Sequence, residues 1–401
     1  MLLPATATRD ATRLVIGRAL RGLADGFVSV YLAAYLQLLG FSAFQVGAIV
    51  TSTLLGSAAL TLAVGLVAHR LAARAVLFAA TALMLATGVG FASLTTFWPL
   101  LLVGFFGTLN PSSGDVSVFL PTEQSILSGE ADAADRTALF AMYSLGGTLL
   151  AAVGALMSGL PTTAARALGT SLVSAFRAGF VFYGLVAVVI LAVYRRLQHG
   201  TAPTATAPRA PLKRSRTIVL KLTALFSLDS FGGGFAVDSL LALWLFLRFD
   251  LTLQTTASVF FAARLLSALS QLVSPRLAAR IGLIETMVFT HIPANLFLVL
   301  AAFMPTATLA VTCLLLRMAL SQMDVPARQS YVMAVVPPEE RAAAASVTNV
   351  PRSLASALSP LLAGALLERS SFGWPLVAGG VIKIAYDLLL LVQFRHVRPR
   401  D

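Results

Sequence analysis

The chain has 401 residues, of which 58% are hydrophobic and only 11% charged. A soluble domain carries roughly a quarter charged residues, so this composition suits lipid rather than water as its solvent. The net charge of +12 would point to nucleic acid in a soluble protein, but the placement of the charges excludes that partner.

Taken in order, the apolar runs predict twelve transmembrane helices, at residues 11–37, 43–68, 75–97, 99–127, 137–160, 175–195, 217–248, 255–275, 284–304, 307–334, 342–367 and 373–394. Residues 1–9 are short and polar, without a cleavable signal pattern, so the first run is expected to remain as a span. The first and seventh spans are long enough to tilt or to extend beyond the hydrocarbon layer. The fourth is interrupted by Asn110-Pro-Ser-Ser-Gly114, a helix-breaking run that lipid tolerates only where it faces protein or a wet cavity. Between the sixth and seventh spans, an Ala/Thr/Pro-rich stretch followed by Lys213, Arg214 and Arg216 reads as a linker. The expected organisation is an N-terminal six-helix bundle over 1–197, a linker over 198–216 and a C-terminal six-helix bundle over 217–401.

Most Lys and Arg fall on one predicted side, among them Arg9, Arg13, Arg70, Arg74, Arg195, Arg196, Lys221, Arg276, Arg280, Arg395 and Arg398. The opposite loops offer Arg166, Arg177, Arg248 and Arg369. By the positive-inside rule both termini and the linker are expected in the cytoplasm. The high Ala, Arg and Leu content with few Lys fits the inner membrane of a high-GC bacterium. The single Cys313 excludes an intramolecular disulfide and a cysteine metal cluster.

The chain also repeats itself. Pro121-Thr-Glu-Gln124-Ser125 recurs 205 residues later as Pro326-Ala-Arg-Gln329-Ser330, and each copy is followed by an acid and an Arg, Asp135-Arg136 and Glu340-Arg341. Arg70-Leu-Ala-Ala-Arg74 recurs as Arg276-Leu-Ala-Ala-Arg280, and Gly26-Phe27 as Gly234-Phe235. The repeated Pro-x-x-Gln-Ser stretch is expected to end one helix and lead into the next. With six spans per repeat, the halves share one orientation, which is a parallel repeat.

These residues resemble the major facilitator superfamily over essentially the full length. Its loop-two signature, Gly-x-x-x-Asp-Arg-x-Gly-Arg-Arg, is met here by Gly65-Leu-Val-Ala-His69-Arg70-Leu-Ala72-Ala73-Arg74, which keeps Gly65, Arg70 and Arg74 but has His for the acid. Arg136 and Arg341 are similar to the family's recurring Arg after that loop. Ser359-Pro360-Leu-Leu-Ala-Gly364 is similar to segments of its drug-efflux branches. The resemblance implies that spans one, four, seven and ten line a cavity that opens alternately to each side.

Charges within apolar spans are costly, about 2.5–3.5 kcal/mol each on insertion scales, and each invites a role. Span one carries Arg18, Arg21 and Asp25 on one helical face, where Arg21 and Asp25 can pair. Span four carries Asp115 and Glu123. Span seven carries Asp229 and Asp238, which point to nearly opposite sides. Span ten carries Arg317, Asp324 and Arg328 on one face, and Lys383 and Asp387 are expected to pair on the last span. A carboxylate in an apolar, intermittently wet cavity holds its proton more firmly, so Asp25, Asp115, Asp238 and Asp324 are the proton-coupling candidates. Arg21, Asn110, Arg317 and Gln322 are the substrate-contact candidates. Arg70, Arg74, Glu123, Arg328, Arg136 and Arg341 are the cytoplasmic-gate candidates, with a closing bridge expected between Glu123 and Arg328 or between Glu123 and Arg70 or Arg74. Gly232-Gly233-Gly234 reads as close packing or a bend, and His69 and His291 as isolated.

The expectation is a monomeric secondary transporter in a lipid bilayer, with no cofactor, metal or nucleic acid. Its partners are a small-molecule substrate and protons or another coupling ion. Proton-coupled efflux of an amphipathic or drug-like compound is the first reading, and transport of an organic anion on the embedded arginines the second. An intramembrane enzyme or receptor-like sensor is a third class. The enzyme would need clustered His, Ser or Cys nucleophile partners, and the sequence has none.

Overall fold

In lipid a backbone has no water to bond, so apolar runs must close their hydrogen bonds internally. The structure, a computed structural model, describes residues 4–67, 71–112, 117–132, 135–198, 215–337 and 340–395, and among these the regular structure is helical. The first eight helices are α1 (Arg9–Leu38), α2 (Ala43–Val67), α3 (Ala73–Ser93), α4 (Phe97–Phe106), α5 (Phe119–Leu127), α6 (Arg136–Met157), α7 (Leu160–Leu168) and α8 (Leu172–Tyr194). The rest are α9 (Arg216–Gly234), α10 (Asp238–Phe249), α11 (Leu253–Ile281), α12 (Leu283–Phe303), α13 (Ala307–Ser321), α14 (Asp324–Val335), α15 (Arg341–Arg369) and α16 (Trp374–Phe394). Among the described residues, ten stretches are long and apolar enough to cross a membrane. The charged 30-residue α1 and the α4–α5 pair fill the two remaining places of the twelve-span expectation.

The chain divides into two compact units, residues 1–205 with 252–261, and residues 206–251 with 262–401. Each has the same internal plan. In the first, α1 lies along α6 and α3 along α8; in the second, α9 lies along α15 and α12 along α16.

Glycines permit the closest of these contacts. A Cβ at Gly26 would sit 2.0 Å from the Ala151 carbonyl oxygen, and one at Gly234 would sit 2.3 Å from that of Ser356. The repeated Gly-Phe pair therefore marks one helix seam used twice, α1 on α6 and α9 on α15. The Gly232–Gly234 run ends α9, and Gly232 packs against Lys383 and Gly379.

Three spans are broken, where one break was expected. The fourth opens already at Gly107, and its freed groups find partners on α3 and α8: Thr108 N–H donates to Thr87 Oγ1 at 3.2 Å, and Tyr183 OH donates to the Thr108 carbonyl at 3.3 Å. The seventh breaks between Gly234 and Asp238, and there Ser359 donates to the Phe231 carbonyl at 2.5 Å. The tenth breaks at Gln322-Met323, where Ser274 donates to the Met323 carbonyl at 2.5 Å. Each break is tolerated because a neighbouring Ser, Thr or Tyr satisfies the released backbone group.

Two boundaries correct the expectation. Arg276–Arg280 lies inside α11, not in a loop, because Ala, Leu and Arg are strong helix formers and the helix runs on to Gly282, whose φ is +99°. Pro121 and Pro326 sit in the first turns of α5 and α14, where a missing N–H costs nothing. The repeated motif thus opens the second segment of a broken span, and Arg136 and Arg341 then open α6 and α15.

The seam makes a direct prediction. Gly26→Ala and Gly234→Ala should each lower the thermal unfolding temperature of the detergent-solubilised protein, with overpacking costing roughly 1–3 kcal/mol. Gly146→Ala, whose Cβ would meet only side-chain carbons at 3.7 Å or more, should leave it unchanged or slightly raised.

Candidate functional site

Each unit carries a buried ionic cluster where its helices converge. In the first unit Arg21 on α1 forms a two-pronged bridge to Glu123 on α5, Nη1 to Oε1 at 2.6 Å and Nη2 to Oε2 at 2.7 Å. Both are sealed from solvent, Arg21 at 2% and Glu123 at 0% exposure. The Tyr143 hydroxyl on α6 donates to Glu123 Oε2, and the Tyr194 hydroxyl on α8 donates to Oε1. Four donors thus meet the roughly four acceptor sites of a carboxylate. The Phe119 ring closes over the guanidinium at 4.6 Å. One ion pair joins α1, α5, α6 and α8.

The second unit builds its cluster around Asp229 on α9. Lys383 Nζ on α16 donates to Asp229 Oδ1 at 2.5 Å, and Arg328 Nη1 on α14 donates to Oδ2 at 3.1 Å. Arg328 also faces Asp324 at 3.5 Å, one turn away on the same helix. His291 on α12 sets Nδ1 2.9 Å from Asp387 Oδ1 on α16, while its Nε2 lies 3.9 Å from Asp229. Asn295, one turn along α12, donates to Asp387 Oδ2 at 3.4 Å. This cluster joins α9, α12, α14 and α16.

The two clusters are related through the repeat with their charges exchanged. Asp229 stands 208 residues after Arg21, and Arg328 stands 205 after Glu123, the offsets of the sequence repeat. Cation on the first helix and anion on the fourth span in one half become anion and cation in the other. The acids flanking the repeat match as well. Asp135 accepts from the Thr6 hydroxyl at 2.8 Å, and Glu340 accepts from Ser215 N–H at 3.1 Å, each at the entry to its half's first helix.

Several expected roles change. Glu123 and Arg328, expected to close on each other, are each bound to a partner inside their own unit, which meets the cost of a buried charge locally. Arg21 pairs with Glu123, not with Asp25, and both terminal nitrogens are occupied, so it is not open to a substrate. Lys383 and Asp387 do not pair with each other: Lys383 reaches Asp229, and Asp387 takes His291, which is therefore not isolated. Arg74 donates to the Arg195 carbonyl at the end of α8 and lies over Phe78, which makes it a helix cap and not a partner of Glu123. Arg136 is exposed at the start of α6.

The remaining candidates are placed as follows. Asp25 is buried on α1. Asp238 opens α10 and pairs with Arg264 on α11. Asp324 opens α14 beside Arg328. The Asn110 side-chain oxygen accepts from Ser112 and so braces the break in span four. Gln322 lies in the break of span ten, 3.5 Å from Gln271. Arg317 on α13 is in no ion pair among the described residues; Nη1 contacts Met318 Sδ at 3.2 Å and its buried Nε has no partner. Asp115, Arg70 and His69 lie outside the described residues, as does the Arg341 side chain.

Sequence reasoning noted Asp229 and Lys383 without joining them, and it passed over Tyr143, Tyr194, Asn295 and the His291–Asp387 pair. The opposite signs at positions matched by the repeat offset were a usable signal for the paired clusters. The tyrosines carried none.

A helical membrane protein whose interrupted spans enclose buried ionic clusters falls in the class of membrane transporters. The chain belongs to the Major Facilitator Superfamily, whose family model matches residues 14–349. It is 24% identical to an uncharacterized membrane protein of Saccharomyces cerevisiae, YJR124C, over 98% of this chain and 95% of the relative. Among solved structures, the nucleoside transporter NupG superposes with a TM-score of 0.74 at 14% identity, over 97% of this chain and all of that one. A bacterial homologue of the human lysosomal transporter Spinster, inward-facing and occupied, gives 0.75 at 15% identity, over 97% and 98%. A POT family transporter in complex with a thioalcohol-conjugated peptide gives 0.73 at 14%, over 96% of each chain. The protein is thus an integral membrane transporter rather than an enzyme, with the fold of secondary carriers that work by alternating access.

The Arg21–Glu123 pair predicts strong coupling. Arg21→Met or Glu123→Gln alone should destabilise the protein by about 3–5 kcal/mol, because each strands a buried charge. Arg21→Met combined with Glu123→Met should recover much of the loss in thermal unfolding of the detergent-solubilised protein.

Proposed function

We propose that this transporter couples proton movement to the efflux of a small amphipathic, neutral or cationic compound. The observation that carries the reading is the neutralisation of the embedded arginines. Arg21, Arg264 and Arg328 each hold a carboxylate, Glu123, Asp238 and Asp229, so most of the positive charge that would recruit an anion is already spent. The buried acids Asp25 and Asp324 and the half-buried Asp238, together with Asp115, supply groups able to carry a proton between two water-accessible states. The distribution of Lys and Arg supports placing both termini and the linker on the cytoplasmic side of the membrane.

A second reading, transport of an organic anion, now rests on Arg317 with Gln322 nearby in the sequence. Its support is that Arg317 lacks an ion-pair partner among the described residues. The similarity to a nucleoside transporter and to a carrier solved with a peptide also makes a neutral polar cargo worth including in the comparison.

Proteoliposomes with an imposed pH gradient decide between these. The proposal expects gradient-driven movement of ethidium, an amphipathic cation, and expects Arg317→Gln to leave that rate unchanged. Gradient-driven accumulation of benzoate that is abolished by Arg317→Gln would establish the anion reading instead. Uridine movement without either would point to a neutral polar cargo.

A further inference from the structure

We infer that the coupling proton is held between His291 and Asp387, in the C-terminal unit. This rests on the proton-coupled reading above and names its site. The argument is one of charge and geometry. Within the second cluster, Lys383 and Arg328 are the cations, and Asp229 and Asp324 lie against them at 2.5, 3.1 and 3.5 Å, which makes a balanced quartet. Asp387 is left over. It is fully buried, and its partners are His291 at 2.9 and 3.1 Å and the Asn295 amide at 3.4 Å. A buried carboxylate without a cation costs several kcal/mol. One proton, shared with the imidazole, removes that cost.

The second ring nitrogen makes the same point independently. Nε2 lies 3.9 Å from Asp229 Oδ1, so both nitrogens of His291 face carboxylate oxygens. A neutral imidazole can donate through only one of them and would turn a lone pair toward the other acid. The doubly protonated ring donates to Asp387 and turns positive charge, not a lone pair, toward Asp229.

Among the described residues no Lys or Arg forms an ion pair with Asp387. Tyr386 on α16 packs its ring edge-on against His291 at 6.1 Å. On α13, Arg317 contacts Met318; on α15, Arg352 donates to Ser230 at 2.8 Å. On α14, Arg328 and Asp324 reach the histidine only through Asp229. The N-terminal cluster has no comparable vacancy, since Arg21 and Glu123 neutralise each other and two tyrosine hydroxyls complete the carboxylate. Protonation from water on one side of the membrane therefore adds a proton to the imidazole–carboxylate pair. Release returns it to water on the other side, once that conformation lets water reach the exposed negative charge.

The test uses full-length protein in detergent with ¹⁵N-labelled histidine, since the chain has only four histidines. The signal lost in His291→Gln should show a ring protonated on both nitrogens near neutral pH. Asp387→Asn should convert it to a neutral ring, and Asp387→Glu should restore the protonated one. Variants are compared only after gel filtration and thermal unfolding show folded protein. A wild-type His291 signal that is neutral and unchanged by Asp387→Asn would overturn the inference.

The second arm is ethidium movement in proteoliposomes. Asp387→Asn and His291→Gln should abolish the component driven by the pH gradient while retaining exchange at equal pH. Gradient-driven movement that survives in both variants overturns the site assignment alone. Failure of the wild type to respond to any pH gradient overturns proton coupling itself, whatever the histidine signal shows.

Discussion

Everything in this molecule answers to the cost of placing charge where water is absent. Arg21 and Glu123 meet that cost together, with Tyr143, Tyr194 and Phe119 enclosing them, and four helices of the first unit converge on the bond. Asp229, Arg328 and Lys383 do the same in the second unit. Duplication supplied the two positions, and the signs have exchanged. Electrostatics permits this because a buried pair is neutral in either sense, whereas a single inversion would set like charges together. The pairs therefore act inside each half as its internal fastening.

The second constraint is the backbone. Three spans break in the apolar interior, and each break is met by a hydroxyl from a neighbour: Thr87 and Tyr183, Ser359, or Ser274. Each break leaves a new helix N-terminus, and at two of them Asp238 and Asp324 stand, where the helix dipole favours an acid. Two of the acids expected to move protons, Asp238 and Asp324, are thus already engaged by a helix end and an arginine. Asp387, by contrast, has a histidine as its ionisable partner. The same rule of local neutrality that explains the fastenings singles out the group able to change its charge.

Much of the fold was legible in the sequence because lipid leaves little choice. Runs of about 20 apolar residues have to become helices, and the repeat of Gly-Phe and Pro-x-x-Gln-Ser reported the duplication down to the residue at each seam. The breaks at Phe235-Ala236-Val237 and Gln322-Met323 were not legible, since no Pro or Gly cluster of the kind at Asn110–Gly114 marks the latter and the glycines before the former also read as packing. The clusters were half legible. Spacing along one helix proposed Arg21–Asp25 and Lys383–Asp387, but the pairs that form cross between helices, and one sequence does not display tertiary neighbours. Asp324 and Arg328, which spacing placed on one face of span ten, do meet one turn apart, at 3.5 Å.

The most direct measurement of the central claim is a charge exchange in the first unit. Arg21→Asp and Glu123→Arg are made singly and together, which gives the N-terminal pair the polarity of the C-terminal one. Thermal unfolding in detergent then supplies a double-mutant cycle. If each half needs a neutral buried pair and is indifferent to its direction, the double variant will be more stable than either single one, with a favourable coupling of about 3 kcal/mol or more. A double variant no more stable than the sum of the two single losses would contradict the account.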